Sequence, residues 1–300
     1  MISSHKVDTS HKVHGAAASG KRRYFRLGAA AAVASLTLTG CDVEDKLRFG
    51  WPRGITSQAE EMRQLWTWSV VAALVVGVFV WGLIFWCMAA YRKRGEELPP
   101  QTRYNMPIEI LYTVVPFFII AVLFYYTAVT QTYVDKKSEN PDVTVTVVAF
   151  KWNWRFEYPD TKGPGGEEIT TIGSTDEIPI LVLPTNKTVR FDEISEDVIH
   201  SFWVPDLLFK RDVIPGHPNA FEVTITREGA YVGRCAELCG TYHANMNFEL
   251  RAVSWEDYQK YLESRSQGLS VSDALEAIGQ PGHATTTRPF NPDRDKRSAS

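Results

Sequence analysis

Three hundred residues are enough for one large domain or two ordinary ones, and a formal net charge of −3 lends no support to a nucleic-acid partner. A mean hydropathy of −0.18 would not mark a membrane protein. The average is misleading, because three different kinds of segment are strung together.

The first segment has the form of an export signal. Lys21, Arg22, Arg23 and Arg26 make a basic region, and residues 27–40 are small and apolar, too short to span a bilayer. The string LTGC at 38–41 resembles a bacterial lipobox, which assigns residues 1–40 to a cleaved signal peptide and Cys41 to a lipid-modified mature N-terminus. An ordinary export signal with an incidental cysteine is the competing reading. Residues 41–64 form an outer segment.

Residues 65–91 carry no charge, and LVVGVFVWGLIF at 74–85 is their apolar heart. A bilayer core of about 30 Å needs roughly 20 apolar residues as helix, so this run spans. A second helix is expected over 108–134, uncharged from Ile110 onward and interrupted only by Pro116, which neighbouring helices can accommodate. Trp66, Trp68, Tyr125, Tyr126 and Tyr133 lie near the ends, as interfacial aromatics do. The connecting residues 92–107 hold Arg92, Lys93, Arg94 and Arg103, which places that loop in the cytoplasm and both mature termini outside. A lipid-modified Cys41 demands the same side.

From Asp135 to Ser266 the composition is that of an extracytoplasmic β domain. Alternating or β-branched runs predict strands over 143–150, 151–158, 180–183, 188–191, 199–204, 220–225, 231–234 and 247–253, separated by Pro, Gly and Asn-rich breaks. Such a series argues for a sandwich or barrel with Greek-key connections. Residues 255–263 read as a closing helix, 161–177 as a long loop suited to a partner contact, and 267–300 as a disordered tail. The tail has no CxxCH, which excludes a fused haem c module.

The densest chemistry is CAELCGTYHANM, residues 235–246, in a connection between two strands. A disulfide between Cys235 and Cys239 would leave His243 and Met246 unexplained. A tetrahedral zinc site could use both cysteines, His243 and another histidine. The Met246 thioether favours copper, since soft thiolate and thioether donors with imidazole suit that metal. The further imidazole would come from His200, at the end of an apolar run in DVIHSFWVP, although a histidine on such a face is more often a packed core residue. Two thiolates, two imidazoles, a thioether and a carbonyl exceed what one copper needs, and two sulfur-bridged metals would use them all. With no coordination position left open, such a pair suits electron transfer rather than substrate chemistry.

These residues resemble cytochrome c oxidase subunit II. CAELCGTYHANM matches that family's CuA loop at every ligand, SEDVIHSFWVPDLLFKRDVIPG matches its upstream histidine segment, and the likeness runs from about residue 64 to 251. It implies a two-helix transmembrane hairpin followed by an all-β, cupredoxin-like Greek-key sandwich. It implies a binuclear centre of two copper ions bridged by Cys235 and Cys239, with His200 and His243 as terminal imidazoles. Met246 is then a weak axial ligand, and the backbone carbonyl of Glu237 binds the second copper. The Glu237 side chain is implied to reach a magnesium or manganese ion at the boundary with the catalytic subunit. KWNWRFEY resembles the family's aromatic patch, with Trp152 as the residue through which electrons arrive. Glu109, in EILYTVVP, falls at the mouth of a proton path, with Tyr112 standing where the family commonly has tryptophan.

The resulting expectation is the electron-accepting subunit of a respiratory haem-copper oxidase in a bacterial cell membrane. Its implied partners are catalytic subunit I, subunit III and a cytochrome c, soluble or tethered in a supercomplex with the cytochrome bc complex. Residues 134–264 hold 22 Asp and Glu against 13 Lys and Arg, a net charge of −9 that would steer a basic cytochrome c. The alternative is a membrane-anchored copper-binding lipoprotein that delivers metal. A quinol oxidase subunit of the same fold lacks the copper ligands, against which Cys235 and Cys239 speak.

Overall fold

A computed structural model describes residues 48–288. The expected signal peptide and Cys41 lie outside the described residues.

Helix α1, Ser57–Ala90, begins at the N-cap Thr56, whose hydroxyl accepts a bond from the Ala59 N–H at 2.9 Å. Its 34 residues extend about 51 Å, well beyond a 30 Å hydrocarbon core, so its first turns, with Glu60, Glu61 and Arg63, extend past the apolar run. Helix α2, Met106–Val134, is capped by Asn105 and contains Pro116. Both are long and apolar enough to cross a membrane, and their apolar side chains face outward over the second half of α1 and nearly all of α2. That exposure fits a lipid surround rather than water.

The polypeptide beyond forms ten strands: β1 Val143–Phe150, β2 Asn153–Lys162, β3 Glu168–Ile172, β4 Ile180–Pro184, β5 Thr188–Ser195, β6 His200–Val204, β7 Phe209–Val213, β8 Asn219–Thr224, β9 Gly229–Cys235 and β10 Asn247–Val253. They make two five-stranded sheets, ordered β3-β2-β1-β5-β8 and β4-β10-β9-β6-β7. The β1–β5 and β4–β10 pairs are parallel, and the other pairs are antiparallel. Alternation drives this: in β2, Trp154, Phe156 and Tyr158 point inward between half-exposed polar neighbours. Between the sheets Phe202 stacks on Phe248 and Phe191 on Phe221, at ring separations of 4.8 and 4.7 Å. The sandwich inferred from the strand pattern is the observed architecture.

Two segments differ from their sequence reading. Residues 161–177 are the end of β2, a turn and the edge strand β3 rather than one long loop. Their Gly and Glu content masks a short hairpin in which only Ile169 and Thr171 are buried. The segment 267–288 is ordered: after α3, Trp255–Ser266, comes α4, Val271–Glu276, and then an irregular strap. A buried pair holds the strap. Glu249 accepts the Thr285 and Thr286 N–H bonds at 2.6 and 2.8 Å, while Arg251 binds Glu249 and donates to the Pro281 carbonyl at 3.2 Å. Composition could not reveal this, because the partners lie about thirty residues upstream.

The helices are tied into the sandwich. Thr56 bridges Ile225, and the Arg227 guanidinium donates to the carbonyls of Arg53 and Gly54 at 2.8 and 3.0 Å. Beyond α2, Glu222 accepts from the Ser138 N–H at 2.9 Å and from Arg190.

Candidate metal centre

Pairing between strands assembles the site. His200 opens β6, Cys235 closes β9, and β6 and β9 pair through Phe202 and Cys235. The Cys235 N–H donates to the Met246 carbonyl at 3.1 Å, closing the 235–246 loop on itself. The Ala236 N–H donates to the Ser201 carbonyl at 3.0 Å, fastening the loop beside His200. A residue 35 positions upstream thereby joins the dense motif.

The donor atoms converge. Cys235 Sγ lies 3.8 Å from Cys239 Sγ, and each thiol has its own imidazole: His200 Nδ1 at 3.8 Å from Cys235, His243 Nδ1 at 3.6 Å from Cys239. Met246 Sδ lies 3.8 Å from Cys239 Sγ, and the Glu237 carbonyl accepts from the Cys235 thiol at 3.3 Å. Both cysteines are free thiols, with sulfurs much farther apart than the roughly 2.05 Å of a disulfide. His200, Cys235, Cys239 and Met246 are buried, whereas His243 is half-exposed and the Glu237 side chain faces solvent.

The thiols titrate as a linked pair. Burial pushes Cys235 up, but hydrogen bonding with His200 and nearby backbone outweighs it and lowers the thiol to about 7. Burial and the adjacent Cys235 push Cys239 up to about 12. One thiolate therefore forms readily, and a second only if positive charge sits beside it. Two soft sulfurs, two imidazoles and a thioether around one small volume fit copper.

The sequence profile described as cytochrome c oxidase subunit II, periplasmic domain, matches residues 143–253, and the one described as its transmembrane domain matches residues 45–129. The chain belongs to the cytochrome c oxidase subunit II family. Among its relatives, the probable cytochrome c oxidase subunit 2 of Nocardia farcinica is 44% identical, the alignment covering 89% of this chain and 88% of that one. The cytochrome c oxidase subunit 2 of Corynebacterium glutamicum is 40% identical over 92% and 94% of the two chains. A crystal structure of the periplasmic domain of subunit II of cytochrome oxidase from Bradyrhizobium japonicum is 30% identical, with 43% of this chain and 96% of that chain covered and a TM-score of 0.37. As a cytochrome c oxidase subunit II, the chain is a membrane-bound component of a haem-copper oxidase, an oxidoreductase.

In this subunit II the two tryptophans of KWNW have different surroundings. Trp152 is half-buried, donates its indole N–H to the Cys239 carbonyl at 3.1 Å, and meets the exposed Tyr242 edge-on at 4.9 Å. Trp154 is fully buried and donates to the Met246 carbonyl at 3.2 Å. Glu109 lies in the first turn of α2, some 38 Å along the helix from Val134, where it accepts the Asn105 N–H at 2.8 Å as a cap.

Three contributors escaped the sequence reading. Gly240 has a φ of +118°, and a Cβ there would meet the Trp152 ring at 3.2 Å. Trp154 supports the loop. Asp197 accepts the His200 Nε2–H at 2.8 Å, and the D-x-x-H spacing of 197–200 is the signal that could have found it. Burial would raise the Asp197 carboxyl, but bonds from His200 and from the Lys151 and Val198 N–H groups hold it below its ordinary range.

Proposed function

We propose that this subunit is where electrons enter the oxidase, taken from cytochrome c at a binuclear copper centre and passed to haem in the catalytic subunit that reduces oxygen and pumps protons. The observation that carries the reading is the pair of thiols 3.8 Å apart, each with its own imidazole nitrogen within 3.8 Å. Cys235 and Cys239 would hold the copper as thiolates, His200 and His243 as imidazoles, Met246 as a thioether and Glu237 through its backbone carbonyl. Two coppers held there would supply a one-electron acceptor with the charge change spread over the pair.

The protein supplies rigidity and dryness. Burial of His200, Cys235, Cys239 and Met246 excludes water, and the Trp154 and Ala236 bonds prevent the loop from relaxing. Trp152 is the electron-receiving surface residue: its indole is bonded to the carbonyl of Cys239, a short covalent route to a ligand sulfur. Glu109, at the opposite end of α2, is the proton-path residue, with the 92–107 loop cytoplasmic and the sandwich and mature termini outside. The exposed Glu237 carboxylate is available to a magnesium or manganese ion shared with the catalytic subunit. Subunits I and III cover the apolar faces of α1 and α2, and Cys41 carries the lipid.

Copper quantification and an EPR spectrum of the copper-loaded full chain in detergent test the centre. The expected outcome is about two coppers per chain and a seven-line hyperfine pattern from one electron shared equally. A four-line, single-copper signal stripped readily by chelator would replace this reading with metal delivery by a membrane-anchored lipoprotein.

A further inference from the structure

We propose that Asp197 is a positioning residue for this centre, fixing His200 in the tautomer that presents Nδ1 to the sulfurs and joining that ligand to the turn carrying Trp152. The inference rests on the copper reading above. A neutral imidazole has one N–H and one lone pair. Asp197 Oδ1 receives the Nε2–H of His200 at 2.8 Å, which leaves the lone pair on Nδ1, the atom facing Cys235 Sγ at 3.8 Å. His200 is fully buried, so no solvent molecule competes for that proton.

The carboxylate is itself held. Oδ1 also accepts the Val198 N–H at 2.6 Å, and Oδ2 accepts the Lys151 N–H at 2.7 Å, one residue before Trp152. One carboxylate thus spans the β5–β6 loop, the β1–β2 turn and an imidazole ligand. Among the described residues His243 has no carboxylate partner, so the negative charge is applied at one end of the cluster only. A carboxylate on the far nitrogen strengthens an imidazole as a donor and favours the more highly charged, oxidised metal. Asp197 therefore holds the midpoint potential down and retains copper.

The test compares the copper-loaded full chain with Asp197→Asn, Asp197→Glu and Ser195→Ala in detergent. It reads midpoint potential, the rate of copper loss to chelator, and solvent exchange of the His200 Nε2–H by paramagnetic NMR. Asp197→Asn should raise the potential, speed copper loss about 10- to 100-fold and accelerate the exchange. Asp197→Glu keeps the charge on a longer arm and should shift all three less. Ser195→Ala removes the Ser195 bonds to Val198 and Asp197 in the same loop without touching His200 and should leave all three unchanged. The proposal falls if Asp197→Asn matches wild type, or if Ser195→Ala moves the readings as far, since Asp197 would then act only as a loop staple. Failure of the wild-type chain to load two coppers would instead overturn the copper reading itself.

Discussion

Trp152 ends the β1–β2 turn and Trp154 lies two residues further on in β2, the first half-buried and the second fully buried. Replacing Trp154 by Phe removes one of the two donors to the Met246 carbonyl, the Cys235 N–H remaining, at a cost of about 0.5–1.5 kcal/mol. Denaturant titration of the full chain should show that loss together with faster copper release. Trp152→Phe also removes one indole bond and should cost a similar amount, about 0.5–1.5 kcal/mol, while stopped-flow reduction by cytochrome c slows severely. Equal effects on reduction from both variants would remove the special role of Trp152. Gly240→Ala forces a side chain into φ +118° and against the Trp152 ring. It should cost about 1–3 kcal/mol and perturb the Trp152 fluorescence. The donor-rich loop was legible, because two cysteines, a histidine and a methionine cluster in a twelve-residue window. Gly240 was not, since its residue type does not signal the Trp152 ring against it, and Asp197 left only the D-x-x-H spacing as a trace.

At the scale of elements, the strap that ends the described chain is a feature of tertiary structure. Its anchor, Glu249 with Arg251, is buried on β10, and Arg251→Ala would leave an uncompensated carboxylate, at a cost of about 3–5 kcal/mol. Limited proteolysis should then cut within residues 278–288. Acid acts on the same latch. Burial would raise the Glu249 carboxyl, but Arg251 and the Thr286 bonds outweigh it and hold it below the ordinary 4.5. A depressed carboxyl contributes stability that is fully present above 4.5 and is lost as pH falls through the lower folded value. Amide protection factors at Thr285 and Thr286, corrected for intrinsic exchange, should therefore be full above pH 4.5 and fall as the solution is acidified below it. The strap and β3 read as loop or tail for one reason: short, polar, edge-lying pieces gain their order from contacts outside their own sequence.

On the scale of the molecule, the two apolar helices and the acidic sandwich carry separate tasks. A net charge of −9 over residues 134–264 should steer a basic cytochrome c, so the bimolecular reduction rate should fall steeply as ionic strength rises past 0.1 M. A salt-independent rate would assign docking to the apolar surface around Trp152 and Tyr242 alone. Arg227 on the Arg53 and Gly54 carbonyls, and Glu222 on Ser138, hold the sandwich against both helices.

By itself, the sequence determined the membrane hairpin, the sandwich and the chemical character of the centre. Apolar run length, strand alternation and donor type are local properties, readable within windows of ten to twenty residues. Tertiary structure decided that His200 meets the sulfurs, that Trp154 supports the loop, that the Lys151 N–H holds Asp197 and what anchors the strap. Each of those depends on strand pairing and burial that join residues about thirty to ninety positions apart, and the free energy of a buried hydrogen bond is set by the partner that folding delivers.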